Sequence, residues 1–161
     1  MAVTVGDSIW ISQAVLWLHY AVYLPVLLRD DGCTTRALWG PFGPSARAAT
    51  LALAGTAYAI MLAIMWSMRR ETHAGLWASA LAFFVFQSAF LPAVHDSNCR
   101  GVRSYVTRAV LAGAAASTTW FVATTWRVSA SRLAKYASVF LLVPFVVIDF
   151  LVYAWVSVPY S

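Results

Sequence analysis

Five apolar runs, at residues 9–28, 48–68, 76–94, 109–126 and 137–158, are separated by short polar islands. Each run is close to the ~20 residues that a helix needs to cross the ~30 Å hydrocarbon core of a bilayer. In lipid, every backbone N–H and C=O must find its partner inside the segment, so runs of this kind fold as helices. The expected fold is all-α: a polytopic membrane helical bundle of four to five transmembrane helices with short loops. Residues 1–161 would form a single transmembrane domain. Composition points the same way. Apolar residues make up 61% and charged residues 11%, against roughly 45–50% and about 25% in soluble domains. Mean hydropathy is +0.73. A water-soluble fold of this size needs more polar side chains than this to cover its surface.

The runs differ in what interrupts them. The opening MAVTVGDS carries Asp7 and no Lys or Arg, so it lacks the basic start of a cleavable signal, and the first run is expected to be retained. That run holds Gln13, His19 and Pro25, the last near its end, where a kink costs least. In the loop at 29–47, Trp39-Gly40-Pro41-Phe42-Gly43-Pro44 cannot continue a helix. Trp39 and Phe42 are expected at the interface. Ala52, Gly55 and Ala59 form a small-residue stripe in the second run, a face that permits close helix approach. Gln87 and Pro92 lie in the third run. The fourth contains five Thr and Ser, whose hydroxyls can bond back to helical carbonyls. The fifth contains Asp149. A central Asp costs ~3 kcal/mol on the insertion scale, and the run's fourteen Leu, Ile, Val and Phe outweigh it at about −0.3 to −0.6 each.

Charge excludes one class of function. The ten Arg and one Lys fall between apolar runs, where they act as membrane-surface anchors, so no nucleic-acid partner is expected. The basic residues divide almost evenly between alternate loops, and the positive-inside rule therefore sets no orientation.

Little reactive material is present. Three His, two Cys and six acids would have to converge to make a site, and no paired carboxylates, nucleophile motif, phosphate loop or CxxC appears. The expectation is no enzyme, no catalytic residue, no cofactor and no metal. His95, Asp96 and Cys99 lie close in sequence, but their spacing matches no structural zinc pattern. Cys33 and Cys99 fall in alternate loops on one side of the membrane. There they could form a disulfide, or remain as reduced or lipidated thiols. The strongest candidate for a functional contact is Asp149, since an ionisable residue inside a membrane is a functional hypothesis by default. It could meet a partner protein, or pair internally with Gln87, Gln13 or His19.

Four polar islands carry a family resemblance. They are Gly32-Cys33-Thr34-Thr35-Arg36-Ala37-Leu38, Arg69-Arg70-Glu71 followed by Trp77, His95-Asp96-Ser97 running into Gly101-Val102-Arg103-Ser104-Tyr105-Val106-Thr107, and Asp149-Phe150. In this order the chain resembles the multispanning envelope and egress proteins of alphaherpesviruses, the products of gene twenty of the unique long region. The Arg-rich, Lys-poor composition suits the GC-rich genomes of several such viruses. The resemblance implies a non-enzymatic membrane protein that complexes with glycoprotein K and supports its transport. It also implies action in virion egress, cytoplasmic envelopment and the modulation of cell fusion driven by glycoprotein B. The implied location is the virion envelope and the host Golgi, endosomal, nuclear and plasma membranes. No catalytic residue transfers. Two features depart from the family: its long acidic amino-terminal tail has no counterpart in MAVTVGDS, and it is usually drawn with four spans.

A reading from another class is a five-span, Trp-rich binder or transporter of a small ligand. Eight Trp and the Trp39-Gly40-Pro41 loop resemble the tryptophan-rich translocator protein that binds sterols and porphyrins. That family's Asn-Trp pair before a Pro is only loosely echoed by Gln87-Ser88 and Pro92, and Asp149 replaces its Asn-bearing last span.

Overall fold

The computed structural model describes residues 3–30, 56, 58–99 and 105–157, with all their side chains except those of 19–20, 23–30, 91–92, 94–99 and 152–157. Regular structure among the described residues is entirely helical. Helix α1 spans Val5–Asp30, α2 spans Tyr58–Met68 and α3 spans Ala74–Cys99. Helix α4 spans Tyr105–Val128, α5 spans Arg132–Ala137, and a π turn at Ser138–Leu142 leads straight into α6, Val143–Ser157. The loop core with Trp39 and Phe42, and the small residues Ala52 and Gly55, lie outside the described residues. Ala59, the third member of that stripe, is exposed.

The helices overrun the apolar runs. Helix α3 continues to Cys99, through the stretch expected to open a polar loop at His95. A helix end needs satisfied carbonyls more than it needs apolar side chains, so polar residues extend it wherever the backbone can still bond. At 1.5 Å per residue the 26 residues of α1 or α3 measure about 39 Å. Length and apolarity together single out one helical segment among the described residues as able to cross a membrane, Arg132–Leu151, with shorter apolar stretches at Tyr58–Met68 and Ala74–Phe90.

Packing follows a heptad rhythm. The buried side of α4 reads Thr107, Leu111, Ala114, Thr118, Phe121 and Thr125, steps of four and three residues. On α3, Leu76, Ala80, Phe83 and Phe90 keep the same rhythm, with half-buried Gln87 in register. This spacing is that of left-handed antiparallel packing, and α3 and α4 form an extensive helix pair among the described residues. Phe121 packs on Phe83 with ring centroids 6.5 Å apart. At Gly113 the helices come so close that an added Cβ would overlap the edge of the Phe86 ring. Farther along the pair, the Thr107 hydroxyl donates to the Ala93 carbonyl at 3.0 Å.

Pro144 explains the π turn. It has no N–H to offer, and its ring crowds the carbonyl of Phe140, four residues earlier. A wider i→i+5 turn at Ser138–Leu142 relieves that crowding. The turn also aligns a stripe. Ala134, Ser138, Leu142 and Val146 are all buried at steps of four, a spacing that drifts by about 40° per step around a regular α-helix.

Candidate functional site

Asp149 follows Val146 by three residues and so stays near the buried stripe of α6. Gln87, placed by the α3 seam, reaches it closely enough to interact. The contact is incomplete: Gln87 Nε2 and Asp149 Oδ2 are both buried without a hydrogen-bond partner. A buried polar atom left unpaired costs ~1–3 kcal/mol. Gln13 is also buried, with its Oε1 unpartnered. Of the candidates read from the sequence, the structure thus brings Asp149 and Gln87 together. His19 belongs to α1, but its side chain lies outside the description, as do Cys33 and the Cys99 side chain.

A second polar assembly occupies one end of the bundle, and nothing in the apolar pattern announces it. At the start of α1, Thr4 and Asp7 bond reciprocally. The Asp7 N–H donates to Thr4 Oγ1 at 3.1 Å, and the Thr4 N–H donates to Asp7 Oδ2 at 3.0 Å. This is a capping box, with Asp7 in the role usually played by Glu, and Thr4-Val5-Gly6-Asp7 was its signal in the sequence. The Thr4 N–H and hydroxyl, with Arg69 adding to them, hold the Asp7 carboxyl below its ordinary value of 3.8. The Thr4 hydroxyl has one proton for two acceptors, Asp7 Oδ2 at 2.8 Å and the Arg69 carbonyl at 2.9 Å.

Glu71 ties the loop after α2 to the end of α4. Its Oε1 accepts from Ser129 Oγ at 2.6 Å and from the Ala130 N–H at 3.1 Å. Its main-chain carbonyl accepts from the Trp77 indole at 2.7 Å. Ser131 caps α5 by accepting from the Ala134 N–H at 3.1 Å, and its hydroxyl also meets Ser67 Oγ. Arg69 lies flat over Trp66, with its guanidinium carbon 3.8 Å from the ring centroid, and its Nε is 4.0 Å from Asp7 Oδ1.

The bundle is apolar outside as well as inside, where Met61, Ile64, Met65, Leu76, Phe83, Phe84 and Phe121 form the core. Ser79, Thr107, Ser117, Thr118, Thr125 and Ser138 are buried, while Val22, Val85, Phe140, Val147 and Leu151 stand more than half exposed. Val147 and Leu151 share the outer side of α6 with Phe150. The buried hydroxyls mostly satisfy themselves: Ser117 and Thr118 both donate to the Ala114 carbonyl on their own helix. Among the described residues no cluster of His, Cys, Asp or Glu is arranged to hold a metal ion.

Compared with family models, curated proteins and solved structures, the chain matches none.

Proposed function

We propose that this chain is a polytopic membrane protein whose work is to hold another integral membrane protein. The observation that carries the reading is the apolar surface: Val22, Val85, Phe140, Val147 and Leu151 stand outward, while small hydroxyls are packed into the core among Met, Leu and Phe. In water such an arrangement wastes the hydrophobic effect; in lipid it is the favourable one. The outer side of α6 offers Val147, Phe150 and Leu151 beside Asp149, whose Oδ2 lacks an internal partner. An intramembrane carboxyl of this kind fits a polar contact with a neighbouring helix.

The resemblance carried by the four polar islands supplies the partner. In this reading the chain complexes with glycoprotein K without enzymatic activity and supports its transport. It acts in virion egress, cytoplasmic envelopment and the modulation of glycoprotein B-mediated fusion. It resides in the virion envelope and in host Golgi, endosomal, nuclear and plasma membranes. The test is affinity isolation from membranes that co-express the chain and glycoprotein K. Co-purification of native protein is expected, with loss of several-fold or more for Asp149→Asn. No recovery of glycoprotein K with the native chain overturns the partnership. Undiminished recovery with Asp149→Asn removes the role given to that carboxyl.

A further inference from the structure

Between α1, α2 and the start of α5 lies an open cavity of about 600 Å³. Trp10, Trp17, Trp66, Ala59, Ala63 and Leu133 form most of its wall. One end of it lies at the polar end of the bundle, where Trp66 and Leu133 stand within two residues of their helix ends. Trp10 and Trp17, seven residues apart, carry it about 10 Å deeper. The Trp10 indole is fixed by donating to the Leu62 carbonyl at 2.9 Å, and its ring meets Trp66 at 4.9 Å between centroids. The wall is therefore built of held aromatic surface.

Positive charge is in excess at that end, where Arg69, Arg70 and Arg132 stand against Asp7 and Glu71. Arg69 stacks over the Trp66 ring and spends one donor, Nη1, on the Trp66 carbonyl at 3.0 Å. Asp7 Oδ1, 4.0 Å from Nε, offsets part of this charge, but a guanidinium has five N–H donors in all, and the Nη groups turned from Asp7 retain capacity for an anion. Arg70 and Arg132 are exposed at the same end. The other acid there, Glu71, is turned to Ser129 and Ala130. An apolar groove with a guanidinium at its lip fits an amphiphile with an anionic head.

We propose that this groove is a binding site for an anionic glycerophospholipid, with one acyl chain along Trp10, Trp66 and Trp17 and its phosphate at Arg69. The inference rests on the membrane-spanning reading and is independent of glycoprotein K.

The experiment uses the full chain in phosphatidylcholine vesicles doped with equal amounts of acyl-brominated phosphatidylglycerol or acyl-brominated phosphatidylcholine. Tryptophan quenching is read in each. Native protein is expected to favour the anionic lipid by about fivefold, the worth of one basic contact near a membrane surface. Arg69→Gln is expected to bring the ratio close to one. Ala63→Phe, which fills the groove from an exposed wall position, is expected to reduce quenching by the anionic lipid. Equal quenching of native protein by the two lipids overturns the site whether or not the variants fold, and so does an unchanged preference in folded Arg69→Gln. Alkaline carbonate extraction of the same vesicles separates the two failures. Release of the chain overturns the spanning reading and the site with it, whereas a retained chain without preference overturns the site alone.

Discussion

Gly6 lies in the first turn of α1, two residues after the Thr4 cap, where Ala would ordinarily be the better helix former by up to about 1 kcal/mol. The neighbours reverse that sign. A Cβ at Gly6 would overlap the Arg69 carbonyl oxygen and the Trp77 ring, and the carbonyl is main chain that has no rotamer to escape into. Gly6→Ala is expected to destabilise the bundle by ~1–3 kcal/mol, the usual cost of overpacking, read by chemical denaturation in detergent. Gly75→Ala provides the contrast. Its Cβ would meet only the exposed His73 ring, at 3.1 Å, which can swing away. That variant is expected to be neutral or to stabilise by up to about 1 kcal/mol. Asp7, outside the apolar run at 9–28, contributes a pH dependence. Its folded pKa is lowered from 3.8 by the Thr4 hydrogen bonds, so the unfolded chain binds its proton more readily. The stabilisation is complete above the unfolded value and is lost as pH falls through the folded one. Thermal melts between about pH 5 and 2 should show that loss in native protein and a flatter profile in Asp7→Asn.

The start of α5 hangs on one hydroxyl. Ser131 Oγ caps the helix at Ala134 and also touches Ser67 of α2, so Ser131→Ala removes a cap and an interhelical contact together. A cost of ~1 kcal/mol is expected for the cap, measured as a lower melting temperature in detergent, and Ser131→Asp should retain most of it. Elements such as this one show what a sequence can disclose. The helical class was readable, because runs of apolar residues in a chain with 11% charge have few other ways to satisfy their backbone. Asp149 and Gln87 were also readable, since each is a polar residue inside an apolar run. The five Thr and Ser at 109–126 looked like interruptions, yet Ser117, Thr118 and Thr125 lie on the buried side of α4. Hydropathy records that such residues are polar, and packing depends on their being small. The π turn had a signal in Pro144. The ties from Glu71 to Ser129 and Ala130 had none, because they join positions 58 and 59 residues apart through an irregular loop.

Those long-range ties determine how the whole chain is threaded. Thr4 meets the Arg69 carbonyl, Glu71 meets Ser129, and Ser131 meets Ser67, so five helix ends gather at one end of the bundle: the starts of α1, α3 and α5 and the finishes of α2 and α4. The Thr107 bond to Ala93 places the start of α4 beside the distal part of α3, at the opposite end. Direction therefore alternates from helix to helix. In a bilayer this requires the turns at 69–73 and 129–131 to emerge on one side and the end of α3, with the start of α4, to emerge on the other. Charge could not make that assignment from the sequence, because the two sets of loops carry nearly equal numbers of Arg and Lys. Single cysteines at Thr72 and Ala130, in a background with Cys33 and Cys99 replaced by Ser, should react with an impermeant maleimide from the same face of sealed, uniformly oriented vesicles. A single cysteine at Tyr105, exposed at the start of α4, should react only from the other face. The four-span pattern usual for the resembling family makes a different prediction. Removing the fourth run as a span leaves the turns at 69–73 and 129–131 on opposite faces, so labelling of Thr72→Cys and Ala130→Cys from opposite sides would refute the alternating bundle. Glu71 could not then reach Ser129 without the chain folding back through lipid.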